Sequence, residues 1–186
     1  MQMDQSTLKT VSKFLSYVLR HHPEAIGITL DREGWVDIGT LLAQAAAHGR
    51  RVNKSLLHEV VATSDKKRFT LSSDGLRIRA AQGHSTPQVA IGYMPQIPPE
   101  TLYHGTAERF LESIREQGLI AGQRHHVHLS ATKETAVQVG RRHGKAVVLA
   151  VDSGKMQRGG FEFYLSDNQV WLTDHVPPEY LREDRS

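Results

Sequence analysis

The 186-residue chain contains no cysteine, which excludes disulfides, thiolate zinc sites and thiol catalysis together. Any metal site would have to use histidine and carboxylates. No apolar run approaches the roughly 18 residues of a membrane span, and the N-terminal stretch MQMDQSTLKT lacks an apolar signal core. The expectation is a cytoplasmic protein with no membrane partner. The metalloprotease pattern HExxH and the dinucleotide fingerprint GxGxxG are also missing, so neither a zincin nor a Rossmann site is supported.

What is present is an ordinary globular composition, 39% apolar and 23% charged, which suggests neither disorder nor a fibrous repeat. The net charge of +3 is unevenly placed. Residues 1–90 hold 12 Lys+Arg against 8 Asp+Glu, and residues 91–186 hold 11 against 12. The first half is therefore the one suited to an anion or a nucleic acid. Eleven histidines are present, and their clustering matters more than their number, since a lone histidine is usually structural.

The chain reads as two small lobes. In the first, Ser6 caps a helix whose buried face is Leu8, Val11, Leu15 and Val18, with Phe14 and Leu19, and which ends near His22-Pro23. Ile26–Leu30 reads as a short strand, Asp31–Gly34 as a turn and Trp35-Val36 as a return. Asp37 and Asn53 cap two further helices, and Arg68–Leu71 and Leu76–Ala80 form a hairpin about Ser72–Gly75. Three helices followed by a hairpin make a winged-helix pattern. Arg77 and Arg79 share one hairpin face, which can be either a nucleic-acid surface or a solvated one.

Residues 86–99, with Pro87, Pro95, Pro98 and Pro99, read as a stiff linker between lobe 1–85 and lobe 100–186. The second lobe is predicted to open with strand Thr101–His104, broken at Gly105-Thr106. A helix from Ala107 to Gln117 follows, with Phe110, Leu111 and Ile114 inward. Then come a strand over HHVHLS and a helix from Thr132 to about Arg142. A doubly buried strand Ala146–Val151 leads to closing strands at Phe161–Leu165 and Gln169–Thr173. Two helices among five strands give an α+β lobe.

The stretch Arg124–Ser130 organises the candidate chemistry. Alternation puts His126, His128 and Ser130 on one strand face, with Val127 and Leu129 packed behind. His126 and His128 could share an ion with His104 or His125, but no carboxylate lies in these strand motifs, and no metal is expected. Gly140–Ala146 loosely matches a P-loop. Its glycine gap is one residue short, Ala146 replaces the hydroxyl, and the segment runs from helix to strand, so it is rejected. An anionic substrate held by Arg and His remains, with Arg20, His21, Arg68 and Arg124 at element ends on either side of the linker. Spacing alone cannot bring these four together.

The segments SKFLSYVLRHHPEAIGITLD, ATSDKKRF, QGHS, LYHGT, RHHVHLS and VWLT, from about Ser12 to Thr173, together resemble the RNA 2′-phosphotransferase family in its bacterial KptA branch. The resemblance implies an N-terminal winged-helix lobe and a C-terminal ADP-ribosyltransferase-like lobe that binds NAD. The implied activity removes an internal RNA 2′-phosphate. The phosphate attacks the nicotinamide ribose, nicotinamide leaves, and the ADP-ribosylated intermediate resolves to 2′-hydroxyl RNA and ADP-ribose 1″,2″-cyclic phosphate.

By the same resemblance, Arg20, His21, Arg68 and Arg124 match the family's catalytic tetrad. His104, His128 and Val170 match the positions about the nicotinamide ribose, while Gly105, Thr106 and Ser130 complete the NAD pocket. Arg142 and His143 are assigned to its pyrophosphate. Val170 stands where related transferases that modify proteins often carry Glu, a departure that disfavours protein modification. Two rivals are an ADP-ribosyltransferase acting on nucleic-acid ends or protein, and a non-catalytic winged-helix regulator. His125 and His126 are equally well read as structural. A monomer is assumed.

Overall fold

Helix α1 (Gln5–Arg20) buries Val11, Leu15, Val18 and Leu19, the stripe that 3-and-4 spacing dictates. The structure, a computed structural model, describes residues 4–184, and the chain divides into two units, Met1–Gly92 and Tyr93–Ser186. Asp4, and not Ser6, stands at the N-cap of α1. Ser6 lies inside the first turn, where its carbonyl accepts from Thr10 Oγ1 at 2.9 Å. The helix stops at Arg20 ahead of Pro23, and His21 closes it with its backbone N–H on the Tyr17 carbonyl.

The strand predicted over Ile26–Leu30 does not form. Pro23–Ile26 is a 3-10 turn ended by Gly27 at φ 67°, so Ile28 and Leu30 reach the core as irregular chain, each 5% exposed. The next turn is fixed by Asp31 Oδ1, which accepts from the N–H groups of Glu33 and Trp35 at 2.9 and 2.8 Å. Strand β1 (Val36–Asp37) leads into α2 (Ile38–Ala47), capped by Asp37, and α3 (Lys54–Thr63) is capped by Asn53. The hairpin β2 (Phe69–Leu71) and β3 (Arg77–Ala80) joins β1 in an antiparallel sheet of order β1-β3-β2. Leu15, Leu57 and Ile78 lie at the centre of this unit's core.

Arg77 and Arg79 lie over the Trp35 ring, 5.5 and 4.5 Å from its centroid. Their shared face thus gathers on one tryptophan, with Arg77 still exposed to solvent. Residues 81–92 fold back onto the first unit. Ala81, Ser85 and Ala90 donate backbone N–H groups to the carbonyls of Arg68, Arg20 and Arg32, and Val89 is 1% exposed.

In the second unit, β4 (Leu102–Ala107) runs unbroken through Gly105, contrary to the predicted break. A 3-10 turn, Glu108–Phe110, precedes α4 (Leu111–Gln117), which places Phe110 at the surface, 41% exposed, instead of inward. There follow β5 (Leu119–Ile120), β6 (Val127–Leu129), α5 (Lys133–Gly140), β7 (Ala146–Val151) and α6 (Ser153–Arg158). The chain closes with β8 (Tyr164–Leu165), β9 (Trp171–Thr173), β10 (His175–Val176) and β11 (Leu181–Asp184).

Among the described residues the sheets are β11-β7-β4, β6-β9-β8 and β10-β5, all antiparallel. The unit's described residues form three α-helices and eight strands, more than the two and five predicted. The extra elements, α6, β5, β10 and β11, have two to six residues each, too few for a clear periodic signal. The expectation that β7 is buried on both faces holds over Val148–Val151, and the strand lies between β4 and β11. The architecture is mixed α and β. No helix among the described residues is long and apolar enough to cross a membrane.

Two glycines set how close α5 lies to β4. A Cβ on Gly105 would overlap the Ala136 carbonyl oxygen of α5, and one on Gly140 would stand 2.7 Å from the Thr106 carbonyl oxygen. Gly105 therefore gives β4 a flat face on which α5 rests. His104, one residue earlier, points to the opposite face, toward β6.

Candidate active site

The candidate residues divide between the two units. In the first, His21 caps α1 and its Nδ1 is 2.9 Å from Ser85 Oγ. The Ser85 backbone N–H donates to the Arg20 carbonyl at 2.8 Å, so the returning 81–85 segment grips the end of α1 at both residues. Arg20 itself is half-buried in the last helical turn. Arg68 enters β2 directly after Lys67, which holds a left-handed φ of 41°, an uncommon geometry for a side-chain-bearing residue. The turn is tied by Lys67 N–H to Ser64 O at 2.9 Å and Arg68 N–H to Ser64 Oγ at 3.4 Å. His21 and Arg68 line the same groove, whose volume is about 650 Å³.

In the second unit, β6 is shorter than predicted, and His125 and His126 precede it. Val127 and Leu129 are 3% and 1% exposed, as the alternation requires. His128 thus faces away from the core, where its backbone carbonyl accepts from His104 Nδ1 at 3.0 Å. Arg124 Nη1 donates to His128 Nδ1, also at 3.0 Å, so a neutral His128 ring carries its proton on Nε2. Ser130 exchanges two backbone hydrogen bonds, of 2.7 and 2.8 Å, with Tyr103. This bridge registers the end of β6 against β4 beside His104.

Burial holds His104 below the ordinary imidazole range. The hydrogen bond to His128 opposes that shift, and the nearby charge of His143 adds to it. Burial also lowers Arg124, helped by repulsion from Arg142; solvent still reaches much of this side chain, and a guanidinium stays charged at any working pH. Arg142 and His143 lie in the turn after α5, which close packing at Gly105 and Gly140 keeps beside β4. The glycine of the rejected P-loop match thus serves helix-to-strand packing. Thr106 is 5% exposed. Val170 lies just before β9, its N–H bonded to Ser166 Oγ at 3.1 Å.

His126 lies outside this cluster. Its ring meets Tyr164 and Tyr93 at centroid distances of 5.5 and 6.2 Å, and its Nε2 is 3.7 Å from Asp174. Burial lowers its pKa, with Asp174 opposing and His125 adding. No group of three or more His, Asp or Glu among the described residues is arranged to hold a metal ion. Ser85 is the residue that sequence reasoning passed over. It stands in the noted QGHS segment, but only tertiary contact shows its partner to be His21.

The model of the RNA 2′-phosphotransferase, Tpt1/KptA family matches residues 6–175. The chain belongs to this family. It is accordingly an enzyme. Among its relatives, a "Probable RNA 2′-phosphotransferase" of Pseudomonas aeruginosa is 59% identical over 181 residues, covering 97% of this chain and 100% of the relative. A protein of the same name from Pectobacterium atrosepticum is 58% identical over 173 residues, 93% of this chain and 96% of the relative. One from Escherichia coli is 57% identical over 178 residues, 96% and 97% respectively.

Proposed function

We propose that this chain is an NAD-dependent RNA 2′-phosphotransferase that removes an internal 2′-phosphate from RNA and acts in the cytoplasm. The observation that carries the reading is the contact chain Arg124–His128–His104, which fixes the guanidinium of the loop before β6 and the imidazoles of β6 and β4 in a family member. The first unit, three helices and a hairpin, supports a winged-helix lobe that binds RNA. The second supports an ADP-ribosyltransferase-like lobe that binds NAD.

The residues present fit NAD. Arg142 and His143 suit its pyrophosphate, His104, His128 and Val170 would surround the nicotinamide ribose, and Gly105, Thr106 and Ser130 would complete the pocket. When bound, NAD supplies an electrophilic ribose carbon and then a ribose hydroxyl, so that the phosphate leaves as ADP-ribose 1″,2″-cyclic phosphate and nicotinamide is released.

The protein's own contribution is positioning and charge. A phosphate monoester has a second pKa of about 6 and is a nucleophilic anion at neutral pH, so it needs orientation more than deprotonation. By the family resemblance, Arg20, Arg68 and Arg124 would each act as donors to phosphate oxygens and stabilise the charge of phosphoryl transfer. His21, its Nδ1 side held by Ser85, is placed to move a proton.

The test is incubation with NAD and an RNA carrying one internal 2′-phosphate. Nicotinamide and 2′-hydroxyl RNA are expected, and a phosphate left in place refutes the reading. A persistent ADP-ribose adduct would instead identify a transferase acting on nucleic-acid ends or protein. Arg68→Ala is expected to lower turnover about 100-fold or more at unchanged folding, the usual cost of one oriented donor at the reacting centre.

A further inference from the structure

The groove lined by His21 and Arg68 extends well beyond them. On α1, Lys9, Ser12, Lys13 and Ser16 fall at the three- and four-residue spacings of a single helix face and line it as well. The two serines are half-buried and small, which makes a floor of hydroxyls, whereas Lys9 and Lys13 are exposed and supply ammonium groups at the rim. Asp65 is the one carboxylate on the lining, so the surface is net cationic. Tyr17 also borders the groove, 49% exposed, its ring 4.7 Å from that of His22.

We infer that this groove is the track for single-stranded RNA flanking the reacting nucleotide. Resting on the RNA reading above, the inference adds a subsite which that reading does not contain. Phosphodiester oxygens need cations and hydroxyl donors, and bases need an aromatic face. The groove, of about 650 Å³, provides all three, and an exposed aromatic face stacks on a base that is not already stacked within a duplex. Lys9 and His21 are twelve positions apart in sequence, about 18 Å along the helix axis at 1.5 Å per residue. The lysines therefore meet nucleotides further along the strand than the one at His21. Their contribution is affinity for longer RNA and not chemistry.

The test uses the Lys9→Ala/Lys13→Ala double variant of the full chain. Binding of an unphosphorylated RNA oligonucleotide of about ten nucleotides is followed by fluorescence anisotropy across a salt series. Turnover is measured on a 2′-phosphorylated oligonucleotide of that length and on a 2′-phosphorylated dinucleotide. Loss of two phosphate contacts is expected to flatten the slope of log affinity against log salt by about 1.4, at roughly 0.7 per contact on a single strand. KM should rise on the oligonucleotide only, with kcat unchanged on both substrates.

An unchanged salt slope, an equal loss on the dinucleotide, or tighter binding of duplex DNA than of the oligonucleotide would overturn the assignment. Because anisotropy needs no turnover, RNA binding that depends on the lysines without any phosphate removal would sink the functional reading and leave the groove standing. Both lysines are exposed, and Lys9→Gln/Lys13→Gln, which retains length and polarity, should reproduce the effect with the parent's unfolding midpoint.

Discussion

Gly105→Ala separates two roles for a residue that the family resemblance places in the NAD pocket. The added methyl would overlap the Ala136 carbonyl oxygen and stand 2.8 Å from the Gly140 backbone nitrogen. Both obstacles are backbone, so no side chain can rotate away, and α5 must move off β4. Overpacking of a core costs about 1–3 kcal/mol where side chains can adjust. A backbone collision belongs at or above the upper end, about 3 kcal/mol.

With a urea dependence of about 1–3 kcal/mol per molar for a small domain, the midpoint of the second unit should fall by about 1 M or more. The chain has two tryptophans, Trp35 in the first unit and Trp171, 9% exposed, in the core of the second. A Trp35→Phe background therefore reports the second unit alone. Gly92→Ala, where a Cβ meets nothing within 4 Å, is the control and should shift the midpoint little. A Gly105→Ala midpoint within the control's range would refute close packing as the reason for this glycine.

Ser85→Ala removes the partner of His21 Nδ1. A lost hydrogen bond of about 1 kcal/mol predicts roughly a fivefold fall in kcat, a shifted acidic or basic limb of the pH–rate profile, and rescue by Ser85→Thr; an unchanged profile would show that Ser85 does not position the ring. His104 gives a pH test of stability. Burial depresses its folded pKa below the ordinary value of 6.5, so below about pH 6.5 the unfolded chain binds the extra proton and stability declines with falling pH. His104→Asn cannot titrate and should show a shallower loss of urea midpoint between pH 7.5 and 5.5, while His126, depressed likewise, contributes equally to both proteins. Parallel slopes would contradict a buried, neutral His104.

Much of the fold was legible because its signals are local. The 3.6-residue stripe of α1, the Asp37 and Asn53 caps, the hairpin about Ser72–Gly75 and the alternation around Val127 and Leu129 each depend on neighbours in sequence. The misplaced elements depended on partners elsewhere. Ile26–Leu30 has strand-like residues but finds no ladder, and β5 and β10 are two-residue strands defined only by each other. Gly105 reads as a strand breaker in sequence because its use is to admit α5, a helix some thirty positions further on.

The same division holds for the site. Which side chains are available follows from the order of residues alone: arginine and histidine in place of thiols, a basic first half, and the motifs that mark the Tpt1/KptA family. Tertiary structure decided what each one touches. It attached Ser85 to His21, aimed His104 at the carbonyl of His128 and set Arg124 against the His128 ring, while giving His126 to a pair of tyrosines. A spacing fixes which residues share a face of one element, but a hydrogen bond between segments forms only when the packing of whole elements brings its donor and acceptor within about 3 Å.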